Sequence, residues 1–169
     1  YRVDALDAPE VSTACSTELS PLSSQRLTVQ GTRFIDAAGR QVLLRGVNVG
    51  GRSKFAPFFP FPFQESGLDN QKDAPPFNQA VTDFYSRVAS WGHNVVRMPF
   101  SWEALEPTRG AYDDVYLSRY LAMIDAAAEH DLRVLVDFHQ DVFAAPYCGD
   151  GFPLWACPEP VPEPPDDCS

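Results

Sequence analysis

An α/β fold with parallel strands is the class this sequence predicts, and three observations predict it. Val95-Val96-Arg97-Met98-Pro99 and Val134-Leu135-Val136-Asp137-Phe138-His139-Gln140-Asp141 are short apolar runs that stop at clusters of polar groups. Buried parallel strands need the apolar part because both faces are covered, and α/β folds place ligands at the carboxyl ends of their strands. Helix-period segments stand between the apolar runs. Strand centres near Val47, Val96 and Leu135 lie 49 and 39 residues apart, which is the rhythm of successive βα units.

The elements follow in chain order. Residues 1–26 form a lead rich in Ser, Thr, Ala and Pro, expected to be flexible. Leu27-Thr28-Val29, Arg33-Phe34-Ile35 and Gln41-Val42-Leu43-Leu44 read as short strands, with Asp36-Ala37-Ala38-Gly39-Arg40 turning between the last two. Arg45-Gly46-Val47-Asn48-Val49 then leads into a loop of about 25 residues, a length usually tied to function or to disorder. Phe55, Phe58, Phe59, Phe61 and Phe63 make disorder the poorer choice and suggest an apolar wall. A helix is expected over Asn78 to Trp91, with Val81, Phe84, Tyr85 and Val88 on one face and Gly92 as its stop. A second helix is expected over Asp113 to His130, with Asp113 and Asp114 complementing its dipole. Residues 27–157 thus hold the βα units, and 158–169 are a Pro- and acid-rich tail with little to pack.

Composition narrows the partners. With 44% apolar residues among 169, the chain has material for a core. A net charge of -10 and only 13 scattered basic residues exclude nucleic acid as a natural ligand. No apolar stretch approaches the roughly 20 residues that cross a bilayer, so no integral membrane segment is expected. The first residue is Tyr1, so a processed chain or a piece of a longer one is expected. Cys148, Cys157 and Cys168 are too widely spaced for a usual zinc site. With Cys15 they fit a loop disulfide in an exported, extracellular protein, free thiols being the alternative and the connectivity open.

Arg97 closes a β-branched run, where a guanidinium could anchor a carboxylate or keep a catalytic acid ionised. His139, Gln140 and Asp141 stand together where the third parallel strand ends, and such a set suits sugar hydroxyls, which both donate and accept. Two other readings stay open: a metal set of Asp137, His139 and Asp141 spaced by two, or a satisfied core network. Lys54 could reach a hydroxyl or a phosphate. Glu103 and Glu106 sit three apart on one segment, whereas glycoside hydrolysis needs carboxyls opposed across a substrate, so they are expected to shape their loop. No phosphate-binding glycine loop is present and no cofactor is expected.

Taken together, Arg45-Gly46-Val47-Asn48, Val95 to Pro99, Trp102-Glu103-Ala104-Leu105-Glu106-Pro107, Gly110-Ala111-Tyr112, Val136 to Asp141 and Asp150-Gly151-Phe152-Pro153-Leu154-Trp155 resemble glycoside hydrolase family five. The resemblance covers about residues 27–157. It is nearest the branch of endoglycoceramidase-like and glucosylceramidase-like enzymes. It implies a (β/α)8 barrel of which this chain holds the amino-terminal portion, about three βα units behind a β-hairpin. It further implies that Arg97 supports the nucleophile, that His139 lines the cleavage subsite, and that Asp141, Lys54 and Gln140 contact the substrate. In that family the acid/base glutamate follows an asparagine at the fourth strand and the nucleophile glutamate ends the seventh. Neither position falls within these residues, so the chain alone is expected to be an inactive fragment of a retaining glycosidase. Its partners would be a β-linked glycan or glycolipid and the remainder of the barrel. A non-catalytic glycan- or glycolipid-binding module is the alternative.

Overall fold

The computed structural model describes residues 26–64 and 73–163. Residues 1–25 of the lead, residues 65–72 and the end of the tail, with Cys15 and Cys168, lie outside them. Two three-stranded sheets organise the described chain. In the first, β1 (Thr28–Gln30), β2 (Arg33–Ile35) and β3 (Gln41–Val42) run antiparallel, with Thr28 opposite Ile35 and Phe34 opposite Val42. Asp36 makes the second turn: its carboxylate accepts the backbone N–H groups of Arg40 (2.8 Å) and Ala38 (2.9 Å) and the Arg40 Nε (2.7 Å). These bonds, the Arg40 N–H foremost, hold the Asp36 carboxyl below the usual carboxylate range. The third strand ends at Val42 rather than Leu44. The backbone after it is claimed by Asn94, whose Nδ2 donates to the Leu43 carbonyl and whose Oδ1 accepts the Arg45 N–H, both at 2.8 Å.

The second sheet is parallel, in the order β4 (Gly46–Asn48), β5 (Val95–Phe100), β6 (Arg133–Phe138). Asn48 pairs with Arg97, Arg97 with Leu135, and Pro99 with Asp137. Gly46 permits the close approach of β4: a Cβ there would lie 1.7 Å from the Val95 carbonyl oxygen. Alternation sorts the side chains of β5. Val96 and Met98 are buried toward the helices, so Arg97 and the register-related Asp137 of β6 face the other way.

Helix α1 spans Phe77–Ser90, and Gly92, at φ +80°, closes it as a left-handed cap. The four-residue helix α2 (Trp102–Leu105), not foreseen from periodicity, starts at Ser101, whose side chain accepts the Ala104 N–H. Helix α3 (Asp114–Glu129) starts at Asp113, which accepts the Tyr116 N–H at 2.8 Å. Tyr85 and Tyr120 of the long helices bind Met98, through Sδ and the backbone carbonyl, both at 3.0 Å. Burial pushes the Tyr116 hydroxyl up to about 12.

The Phe- and Pro-rich loop corrects the expected apolar wall. Phe59, Phe61 and Phe63 are buried with Phe77, Val81, Tyr85 and Met123 in the core. Only Phe55 stands out in solvent. Cys148 is disulfide-bonded, while Cys157 is a buried free thiol. No helix among the described residues is long and apolar enough to cross a membrane.

Among the described residues no strand pairs with the outer edge of β6. Leu135 on one face of β6, and Val136 and Phe138 on the other, are 58, 51 and 57% exposed. An unpaired strand edge flanked by apolar side chains is a template for association. Expressed alone, the 169-residue chain is expected to self-associate or to melt without a sharp transition. A monodisperse monomer with one cooperative calorimetric transition would contradict this.

Candidate active site

At the carboxyl ends of β5 and β6 the structure gathers four of the five residues expected from sequence. Asp137 is their hub. Its Oδ2 binds the Arg97 Nη2 at 2.7 Å and the His139 Nδ1 at 2.8 Å. Since a carboxylate only accepts, His139 donates from Nδ1, and its Nε2 is turned the opposite way. That Nε2 lies 3.4 Å from the Asp141 Oδ2 but outside hydrogen-bond geometry. Among the described residues this buried nitrogen has no hydrogen-bond partner. Asp141 Oδ2 is held by the Lys54 ammonium, which reaches across from the 3-10 turn Gly51–Lys54. Guanidinium, carboxylate, imidazole, carboxylate and ammonium therefore form one line from β5 to the loop after β4.

Asp150 joins the line unforeseen. Its side chain is partly buried, with Oδ2 4.0 Å from Lys54 Nζ. Its backbone pairs with Asp141 in an antiparallel bridge, with N–H···O bonds of 2.9 and 3.2 Å. Nothing in the spacing of Asp141 and Asp150 announces this; the signal was the glycines on either side of Asp150. A Cβ at Gly149 would lie 2.1 Å from the Asp141 carbonyl oxygen, so the loop returns tightly only because no side chain stands there.

Gln140 is the residue the structure does not bring in. Neighbours on an extended chain point to opposite sides, and its Oε1 accepts the Phe143 N–H at 2.9 Å, shaping the turn after the strand. The metal reading is also rearranged. Asp137 is committed to Arg97, and the donor atoms that do converge, from His139, Asp141 and Asp150 within 4.8 Å, already face the Lys54 ammonium.

Glu103 and Glu106 are loop-shaping residues. Glu106 accepts the Gly110 N–H at 2.7 Å and the Trp102 Nε1–H at 2.8 Å, and these bonds hold its carboxyl below the usual range. Burial, opposed by a bond from the Gly151 N–H, raises Glu103. Trp102 packs edge-on against Trp155 and Phe152, at 5.2 Å between ring centroids.

Charged groups strung along the carboxyl ends of parallel strands, with an imidazole nitrogen among them that lacks a hydrogen-bond partner, define the class: an α/β protein with a polar cluster where such folds place their ligands. Residues 56–163 match the family model for cellulase (glycosyl hydrolase family 5). The chain belongs to that family. It is 35% identical to a glucosylceramidase of Cryptococcus neoformans over 82% of this chain and 19% of that one. It is likewise 35% identical to endoglycoceramidase I of Rhodococcus hoagii, over 77% of this chain and 23% of that one. The fold is similar to sterylglucosidase 1 of Cryptococcus neoformans (TM-score 0.62, 30% identity, 88% of this chain and 21% of that one). It is also similar to endo-glycoceramidase II of Rhodococcus sp. (TM-score 0.56, 32% identity, 79% of this chain and 28% of that one). The chain spans about a fifth of the length of the curated relatives it matches. The family and these relatives are glycoside hydrolases.

Proposed function

We propose that this chain is the amino-terminal portion of an exported retaining glycosidase that hydrolyses a β-linked glycolipid or glycan. In this reading β4, β5 and β6 are the first three strands of a (β/α)8 barrel whose amino-terminal part occupies residues 27–157, and the remaining barrel completes the site. The observation that carries the reading is the line from Arg97 through Asp137, His139 and Asp141 to Lys54, with His139 Nε2 buried and unpaired. A buried polar atom without a partner costs on the order of 1–3 kcal/mol, and a sugar hydroxyl can satisfy it by donating. Asp141 then accepts from a hydroxyl while Lys54 donates to one. Gln140 has a lesser role than these, since its amide oxygen is already used.

These groups bind and orient; they do not cleave. Cleavage by retention takes two further carboxyls, one protonating the leaving oxygen and one attacking the anomeric carbon, and both come from the rest of the barrel. Arg97 stands where it can favour an ionised carboxylate beside it. The names of the relatives, glucosylceramidase and endoglycoceramidase, favour glycosylated ceramide over cellulose as the substrate.

The test is hydrolysis of fluorescent glucosylceramide against carboxymethyl-cellulose by the full-length protein that carries this chain. Release of the sugar from the lipid is expected, with little action on the polymer. Activity toward neither overturns the enzyme reading. Saturable binding of glycolipid without turnover would put a binding module in its place.

A further inference from the structure

The loop after β6 carries Asp141 and Asp150 to Lys54, and what fixes that loop is a segment outside the pocket. Glu103, in the first turn of α2, holds Gly151 by two bonds. Gly151 N–H donates to Glu103 Oε1 at 3.0 Å, and Glu103 N–H donates to the Gly151 carbonyl at 3.0 Å. Among the described residues Glu103 makes no ion pair with the pocket line. Gly151 has φ +102°, and a Cβ there would lie 2.2 Å from the His139 carbonyl oxygen. It is therefore wedged between Glu103 and the end of β6, one residue from Asp150. Asp150 in turn pairs its backbone with Asp141. A second tie keeps the far end of the loop in place without Glu103: Trp155 Nε1 donates to the Glu106 carbonyl at 2.8 Å.

We propose that Glu103 is a positioning residue of the sugar pocket, clamping Gly151 so that Asp141 and Asp150 meet Lys54 in the geometry that receives substrate hydroxyls. The inference rests on the glycosidase reading above for its ligand, but the clamp itself can be measured apart from it. Losing the side-chain acceptor frees one end of the Asp141–Asp150 bridge and leaves the Gly151 N–H unpaired. The groups that would react are untouched, so the cost falls on binding rather than on chemistry.

Three forms of the full-length protein test this: wild type, Glu103→Ala and Glu103→Gln. In Glu103→Ala, KM for the fluorescent β-glucoside is expected to rise about tenfold while kcat stays within about threefold, because the interaction lost serves ground state and transition state alike. Glu103→Gln keeps an acceptor oxygen facing Gly151 and is expected to restore the wild-type KM. A merely structural role would lower the melting temperature and leave KM unchanged. Unchanged KM in folded Glu103→Ala, or a Glu103→Gln variant as impaired as the alanine, overturns the proposal. Should wild type hydrolyse nothing, the glycosidase reading fails and amide exchange alone decides the clamp. Faster exchange confined to residues 141–151 in Glu103→Ala supports it, and unchanged protection of Gly151 overturns it.

Discussion

Asp137→Ala in the full-length protein is expected to lower kcat/KM by about 100-fold, roughly 2.7 kcal/mol of transition-state stabilisation. The magnitude follows from one oxygen serving two residues. Asp137 Oδ2 takes both the Arg97 guanidinium and the His139 Nδ1–H. Alanine releases both at once: Arg97 loses its tether and can swing by more than the fraction of an ångström a working site tolerates, and His139 loses the bond that selects its tautomer. Asp137→Asn is the informative companion. Its amide oxygen can still accept from one of the two donors but carries no charge, so a smaller loss, about tenfold, is expected. Activity within threefold of wild type in a folded Asp137→Ala protein would show that Arg97 and His139 are positioned by something else. Measuring kcat and KM separately matters here. Loss through Arg97 should fall on kcat, and loss through His139 should also raise KM.

Arg97 and His139 were legible in the sequence as strand-end groups, and Asp137 only as a member of a metal set; that Asp137 links the other two was not foreseen. Parallel strands alternate their faces and end where ligands bind, so Arg97, Asp137 and His139 needed only their spacing and their strand ends to be placed on one side. The same alternation, applied strictly, sends Gln140 away from His139 and Asp141, and the structure agrees with that rule rather than with the grouping of three adjacent polar residues. Lys54 and Asp141 were each singled out as polar groups able to meet a hydroxyl, but their contact with one another was not foreseen. No periodicity links a 3-10 turn after β4 to the end of β6. Asp150 was not legible at all. Its place depends on a backbone bridge to Asp141 and on two glycines whose missing Cβ atoms leave room for the return of the chain. Close approach of two loops is a property of tertiary packing, and a sequence reveals only that glycines are available for it. The short helix α2 was missed because four residues do not complete a pattern of period 3.6.

Phe63→Ala is expected to destabilise the folded protein by about 3–5 kcal/mol, a large part of the roughly 5–15 kcal/mol that separates native from unfolded domains. The reasoning reverses what the bare sequence suggested for the loop. Phe63 is fully buried, with the rings of Phe77 and Phe59 at 5.1 and 5.6 Å and the Arg119 guanidinium 5.0 Å above its face. Removing it opens a cavity bordered by residues of the loop, α1 and α3 that cannot all collapse inward, and strips Arg119 of its aromatic cover. Phe55 supplies the contrast within the same nine residues. At 70% exposed it has little to lose, and Phe55→Ala should change stability by less than about 0.5 kcal/mol. If any phenylalanine of this loop touches a lipid aglycone it is therefore Phe55, and its substitution would raise KM for glucosylceramide while leaving a soluble aryl glucoside unaffected. Urea titration of both variants alongside wild type separates the two residues. Equal destabilisation would mean that the loop is held as a unit by its prolines, and a stable Phe63→Ala would mean that these rings lie over the core without supporting it.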